Sequence, residues 1–458
     1  MKDRVRDAIK HSRADYTEIR LERSWGSTVA LRGDRLEGAT AGVDEGGCVR
    51  VLNHGYGWGI ASFTSLDQLT DKVDRANALS RAVPRDEAAP WAAVPVREED
   101  VLLDLDGDVR GVPLEEKYSY VKRLNSAMAD YDRRVISTQV AYRDEVTEYW
   151  FANSEGTLIY QMRPEYRLSA VAVAREHGAQ ERVLVSVGQR KGWHSARDRD
   201  EQFRDAAVRA VDLLGAQRVA EGRFPVVLDP KLAGVITHEA IGHLSEADLI
   251  RDDPAVAKML PLGRKVGPSC LTVGDDGRAP GLRGTLPFDD EGTPTQKTLL
   301  IQNGEVVGHL HSRETAAAMS EQPTGNARAL SYRHPPIVRM TNTYIAQGTG
   351  HLDDLLEDIE LGVYACDAAA GRTHRDTYTF TAGYGRMIRN GQLAELVRGV
   401  TLSGNLFELL GSIEGVSEDF LWNESGGGCG KKGQSPLPVA EGAPHVRVAS
   451  MAVGKALL

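Results

Sequence analysis

The sequence predicts an α+β protein of two domains, an N-terminal sheet-plus-helices domain at 1–222 and a β-rich C-terminal domain at 223–458. Three observations predict it. Runs of alternating apolar and polar residues, broken by Gly, Asp and Asn, recur up to Val187. Helical periodicity is confined to separate blocks between those runs. Near Gly222 the pattern changes to a strand, a helix and a long glycine-rich strand region. A chain of 458 residues also exceeds one ordinary core.

Each element follows from its own stretch. YTEIRLERSWGSTVALRGDRLEGATAGVDEGGCVRVLNHGYGWGIASFTS reads as a β-meander. Behind it, Leu66, Leu69, Val73, Ala76 and Leu79 fall at helical spacing, with Ser65 as the capping residue, so a helix packs on that sheet. A Pro- and Ala-rich connector, VPRDEAAPWAAVPVREED, leads to a second amphipathic helix, LEEKYSYVKRLNSAMADY. Strands return from Val135 to Val187, with Asn153 to Gly156 as the turn of a hairpin. DRDEQFRDAAVRAVDLLGAQ is a third helix, running out near Gly222 at the domain boundary.

Composition narrows the function. A formal charge of -10, with no long basic run, argues against a nucleic-acid partner, because that affinity rests on clustered Lys and Arg. The charged N-terminus MKDRVRDAIKHSRADYTEIR has no signal-like apolar core, and no segment nears the roughly 18 to 20 apolar residues of a membrane span. The expectation is a cytoplasmic protein without a membrane partner. Four scattered cysteines make no disulfide framework; Cys48, Cys270 and Cys366 are expected in the core.

The segment THEAIGHLSEAD carries the chemistry. The strand FPVVL is followed by Asp229 and Pro230, a preferred N-cap and a preferred first helical residue, so His238 and His243 sit about two turns into a helix. Five residues sweep roughly 500° of an ideal α-helix and leave the two imidazoles about 140° apart. A single π-bulge would restore them to one face, and Gly242 makes the distortion cheaper. On spacing alone, a surface or partly satisfied polar cluster on the helix is the favoured reading of these residues. Far along the chain, SGGGCGKKGQSPLPV sets Cys429 among small residues that let the backbone approach an ion or substrate.

His238-Glu239-Ala240-Ile241-Gly242-His243 resembles the HExxxH signature of the TldD/PmbA metalloproteases, the family also labelled modulator of DNA gyrase. FDDEGTPTQKTLLIQNGEVVGHLHSRETAA, GNARA, VRMTN, FTAGYGRMIRNGQLAELVRGVTLSGN and CGKKGQ are similar to further blocks of that family, as is GGCVRVLNHGYGWGIAS near the N-terminus. The resemblance implies that His238, His243 and Cys429 bind one Zn2+ per catalytic subunit, and that Glu239 is the catalytic carboxylate. Two imidazoles and a thiolate suit zinc and leave a fourth position for water, whose proton Glu239 takes. It also implies a TldD-type catalytic subunit in a dimer, either a heterodimer with a ligand-less TldE/PmbA-type paralogue or a homodimer, enclosing a cavity for peptides. Gly427 and Gly428 would hold a peptide as an added β-strand.

Other residues admit two readings. His309 and His311 alternate, so on a strand they share a face; they either meet an oxyanion of the substrate or form a polar strand face. Asp289, Asp290 and Glu291 either solvate a loop, the favoured reading, or engage a peptide amino terminus. Glu246, a turn beyond His243, is an additional candidate ligand. GGGCGKKGQS lacks the first Gly and the final Ser or Thr of a phosphate-binding loop, and no helix follows it. The leading function is zinc-dependent hydrolysis of short or unfolded peptides. The alternatives are hydrolysis of an amide in a small-molecule or peptide natural-product intermediate, and non-catalytic binding that modulates a DNA enzyme.

Overall fold

The computed structural model describes residues 1–85, 89–103 and 105–454. It is α+β, with 43% of residues in strands against 24% in helices, and the strands dominate after residue 222.

Alternation in the first half gives very long strands. β1 (Tyr16–Arg32) and β2 (Arg35–Leu52) form one antiparallel hairpin, and β3 (Trp58–Phe63) adds to β2. β5 (Val135–Asn153) pairs antiparallel with β1 and with β6 (Leu158–Glu176), the turn lying at 154–157 as expected. β7 (Ala179–Gln189) and the short β4 (Glu98–Val101) pair with different parts of β6, β4 in parallel. β4 emerges from the connector, whose residues 86–88 lie outside the described residues.

Helices cover this sheet through the faces their spacing defines. Ser65 Oγ accepts from the Asp67 amide, opening a 3-10 turn, and α2 (Leu69–Arg81) follows. Leu69, Val73 and Ala76 pack on Val49, Val51 and Phe63, each large side chain contributing about 1.5–3 kcal/mol. Leu79 does not join them; it is exposed, and Ser80 is buried in hydrogen bonds to Gly57 and Asn53. α3 (Leu114–Ala129) and the helix Asp200–Gly215 pack on Tyr142, Leu168 and Ala170. The latter helix stops at Gly215, where Ala216 turns extended, so it ends earlier than its sequence suggests. The N-terminal stretch forms a helix, Lys2–His11, held by Val5 and Ala8.

In the second half, five strands pair in a closed ring: Gly222–Leu228, Leu361–His374, Thr377–Arg389, Thr401–Asn405 and Val446–Val453. The helix Pro230–Thr237 buries Leu232, Ala233 and Ile236 in the same core as Leu228, Ala365, Phe380 and Val446. A six-stranded sheet includes Val273–Asp276, Asn342–Ile345 and Ala440–Ala443.

The halves are joined by buried polar contacts. Asp289, Asp290 and Glu291, expected to solvate a loop, are instead 0%, 2% and 2% exposed. Asp290 pairs with Arg163 at 3.1 Å, Glu291 with Arg50 at 3.4 Å and with the Arg313 amide at 2.9 Å, while Asp289 accepts backbone amides of Glu291, Thr293 and Ala327. Adjacent carboxylates stay buried here because separate cations and amides meet each one. Beside them Phe288 packs among Tyr149, Phe151 and Ile159.

Candidate metal centre

The helix that carries the histidines starts as its sequence dictates. Asp229 Oδ1 accepts from the Leu232 amide at 2.8 Å, and Pro230 occupies the first turn. From His238 to Gly242 the backbone is π-helical, and the His243 amide bonds the His238 carbonyl, an i to i+5 closure. The extra residue in that turn brings the imidazoles onto one side, with ring centroids 5.3 Å apart. Gly242 contributes by close approach rather than by backbone freedom: a Cβ there would lie 2.0 Å from Met340 Sδ.

Cys429 arrives on a hairpin. Cys429–Lys431 pairs with Gln434–Leu437 across Lys432 and Gly433, both at positive φ (48° and 79°), the turn geometry that matches strand twist. The hairpin sets Cys429 Sγ 3.1 Å from His243 Nε2, and the ligand atoms of His238, His243 and Cys429 all lie within 4.8 Å of one another. Two imidazole nitrogens and one sulfur are the donor set of zinc.

Electrostatics favour the ligating form of the sulfur. Burial pushes the Cys429 thiol up, but His238 and His243 outweigh it and hold the thiol down at about 4. Burial likewise pushes both imidazoles down, and the thiolate outweighs it, with Glu246 adding at His243, so the rings rise to about 9 and about 10. His238 Nδ1 is buried without a hydrogen bond, 3.9 Å from Glu441 Oε1. Ligation needs both rings neutral, with an ion taking the place of their protons beside the Cys429 thiolate, and two nitrogens and a sulfur within 4.8 Å of one another fit a divalent metal.

Around the three candidate ligands the chain supplies further polar contacts. Glu246, fully buried, accepts from His243 Nδ1 at 3.2 Å and pairs with Lys431 at 2.9 Å. It touches the far side of the ring from Cys429, so it orients His243 rather than joining the ligand set. Lys431 also holds Asp248, which ties the hairpin to the helix end. Glu239 stays accessible, its side chain 32% exposed, with Oε2 3.9 Å from His243 Nε2 and its carbonyl held by Thr373 Oγ1.

The remaining candidates lie around or apart from this cluster. Gly427 accepts from Arg283 through its carbonyl, and the Gly426 amide donates to Ser186 Oγ at 3.2 Å, so the glycine run lies along β7. Gly428 approaches Pro436 and Leu437 of the hairpin so closely that a Cβ would meet both. His309 and His311 are 3% and 1% exposed, and their ring nitrogens face Glu321, Leu260 and Thr315. Cys48 and Cys366 are buried as expected, whereas Cys270 is exposed, on the loop preceding Val273–Asp276. Glu441 and Lys431 carry no sequence signal of their own; only the fold brings them to the histidines.

Three family signatures cover the chain: PmbA/TldA metallopeptidase domain 1 at 17–80, the central domain at 107–218 and the C-terminal domain at 221–455. A metalloprotease of Synechocystis sp. is 42% identical over 97% of this chain and 95% of that protein. A zinc metalloprotease TldD homolog of Saccharolobus solfataricus is 29% identical over 96% and 97%. Among solved structures, TldE from Thermococcus kodakarensis matches with a TM-score of 0.78 at 17% identity, covering 99% of this chain and 100% of that one. A modulator of a DNA gyrase from Thermotoga maritima matches with 0.78 at 22%, covering 96% of each. The two structures share the fold; the signatures and the Synechocystis relative go further, and this chain belongs to the PmbA/TldD metallopeptidase family.

Proposed function

We propose that this chain is a zinc-dependent metallopeptidase that hydrolyses peptide bonds in short or unfolded peptides. The ligands of its catalytic ion, one per subunit, are His238, His243 and Cys429, and Glu239 is its general base. The observation that carries this reading is the π-helical turn, which brings two histidines five residues apart together opposite a cysteine 186 residues away. A zinc ion held there supplies Lewis acidity and an activated water.

The chain's own residues do the rest. Glu239 accepts the proton of the attacking water on its carboxylate and returns it to the leaving amine. Glu246 holds the His243 ring by Nδ1, which leaves Nε2 directed at Cys429. The strand Cys429–Lys431 belongs to a two-stranded sheet, and its second edge offers backbone groups to an extended peptide with little sequence preference. Gly427 and Gly428 lie at the start of that edge. A two-domain subunit divided near residue 222 would act as a dimer, with a ligand-less paralogue or with a second copy of itself. The likeness to a protein named TldE supports such a pairing.

The test is Glu239→Gln assayed with metal and any partner supplied. The variant is expected to keep its zinc and lose hydrolysis of a mixed peptide pool; full activity would refute the assignment. Absence of cleavage by the zinc-loaded wild type would move the reaction to a small-molecule amide.

A further inference from the structure

A second set of metal-ligating side chains converges away from the first. Nitrogens of His309 and His311 and a carboxylate oxygen of Glu321 lie within 4.8 Å of one another. The histidines flank Leu310 on an extended segment, so both rings fall on one side. Glu321 follows the helix Arg313–Met319, where Ser320, at φ 57°, turns the chain back toward them.

The ring nitrogens decide what this cluster holds. His309 Nε2 is 2.9 Å from the Leu260 carbonyl, which only accepts, so that nitrogen bears a proton. Nδ1 meets Glu321 Oε1 at 3.0 Å with hydrogen-bond alignment, so either a proton or a shared cation fills that contact. His311 Nε2 lies 3.1 Å from Glu321 Oε2, buried and without hydrogen-bond alignment, while its Nδ1 meets Thr315 Oγ1. A proton between nitrogen and oxygen requires that alignment; a metal ion requires only convergence. The 3.0 and 3.1 Å contacts are made by different oxygens of Glu321, Oε1 to His309 and Oε2 to His311, so the carboxylate spans the two rings, and one nitrogen from each ring and one of its oxygens lie within 4.8 Å of one another. Metal-binding histidines usually have the other ring nitrogen anchored by a carbonyl, carboxylate or water, as the Leu260 carbonyl anchors His309 Nε2.

We propose that His309, His311 and Glu321 form a second divalent-metal site of the zinc class, with solvent supplying the fourth position beside the 20% exposed Glu321 side chain. This gives the two histidines a role apart from substrate. The site acts through the backbone. The Leu310 amide donates to the Ser245 carbonyl at 2.8 Å, and the Ala247 amide donates to the Leu310 carbonyl at 3.0 Å. Between Ser245 and Ala247 stands Glu246, the residue that orients His243. An ion at 309–321 therefore clamps the segment that positions the first centre.

Cobalt(II) titration of the full chain tests the proposal independently of hydrolysis. In a chain whose first centre is disabled by His238→Asn with Cys429→Ser, about one equivalent is expected, with visible ligand-field absorption and no thiolate charge-transfer band. Adding Glu321→Gln is expected to abolish that absorption. No cobalt absorption in the folded double variant, or absorption unchanged by Glu321→Gln, would overturn the site. Should the double variant not fold, zinc content of wild type against Glu321→Gln alone decides: loss of about one zinc per chain supports the site, and equal content overturns it.

Discussion

Two histidine pairs in this chain meet a third ligand, and they do so by opposite backbone routes. His309 and His311, two apart on an extended segment, face the same way without distortion. His238 and His243, five apart on a helix, face the same way only through a π turn. Their third partners differ as well. Glu321 comes from the neighbouring helix end, whereas Cys429 comes from a hairpin remote in sequence and is held as a thiolate. Of the two, the pair His238 and His243 has Glu239 beside it, a carboxylate 32% exposed and outside the candidate ligand set. On the two readings proposed above, the cluster that needs a distorted helix and a distant strand serves chemistry, and the locally built one holds the chain.

The sharpest way to break this contrast is Glu239→Gln. Loss of a general base costs about 10²–10⁴-fold in kcat, with zinc content unchanged, measured by steady-state hydrolysis and elemental analysis. Next is Glu246→Gln, which leaves His243 without its carboxylate partner. Metal affinity is expected to fall about 10–100-fold in a competition titration with a chelator. A smaller effect tests the π turn: Gly242→Ala sets a methyl against Met340 Sδ and is expected to cost about 1–3 kcal/mol of stability. Adding Met340→Ala relieves that clash, so the two denaturant-derived losses sum to more than the double-variant loss.

The last effect concerns Asp229, where the helix begins. Burial pushes its carboxyl up to about 6, with Asp367 adding and the Leu232 amide opposing. The folded chain therefore binds a proton more readily than the unfolded chain, whose aspartate titrates near 3.9. Stability is greatest in this respect below about pH 4, falls as pH rises through about 6, and is lower by roughly 2–3 kcal/mol above that. Asp229→Asn is expected to flatten that slope in melting temperature between pH 4 and 7, whatever it does to absolute stability through the Asp367 amide bond.

Much of this was legible in the chain. Asp229-Pro230 announces the helix start by a local rule of backbone geometry; the five-residue spacing only permitted the π turn, and Gly242 serves it through contact with Met340, which spacing does not show. The α+β class follows from periodicity for the same reason. The buried acidic run was not legible, since Arg50 and Arg163 lie more than a hundred residues from it and only the packed halves bring them together. Leu79 and Cys270 are apolar by type yet exposed, and no period marks them as exceptions. The ties from Lys431 to Glu246 and Asp248 depend on a hairpin docking against a helix end, which spacing cannot show.

Zinc-edge X-ray absorption on the zinc-loaded Glu321→Gln chain, where the second site is removed, tests the central claim most directly. The account predicts a shell of one sulfur near 2.3 Å with two or three nitrogen or oxygen neighbours near 2.0 Å, the sulfur vanishing in Cys429→Ser. A zinc shell of nitrogen and oxygen alone, or a sulfur that survives Cys429→Ser, would contradict it.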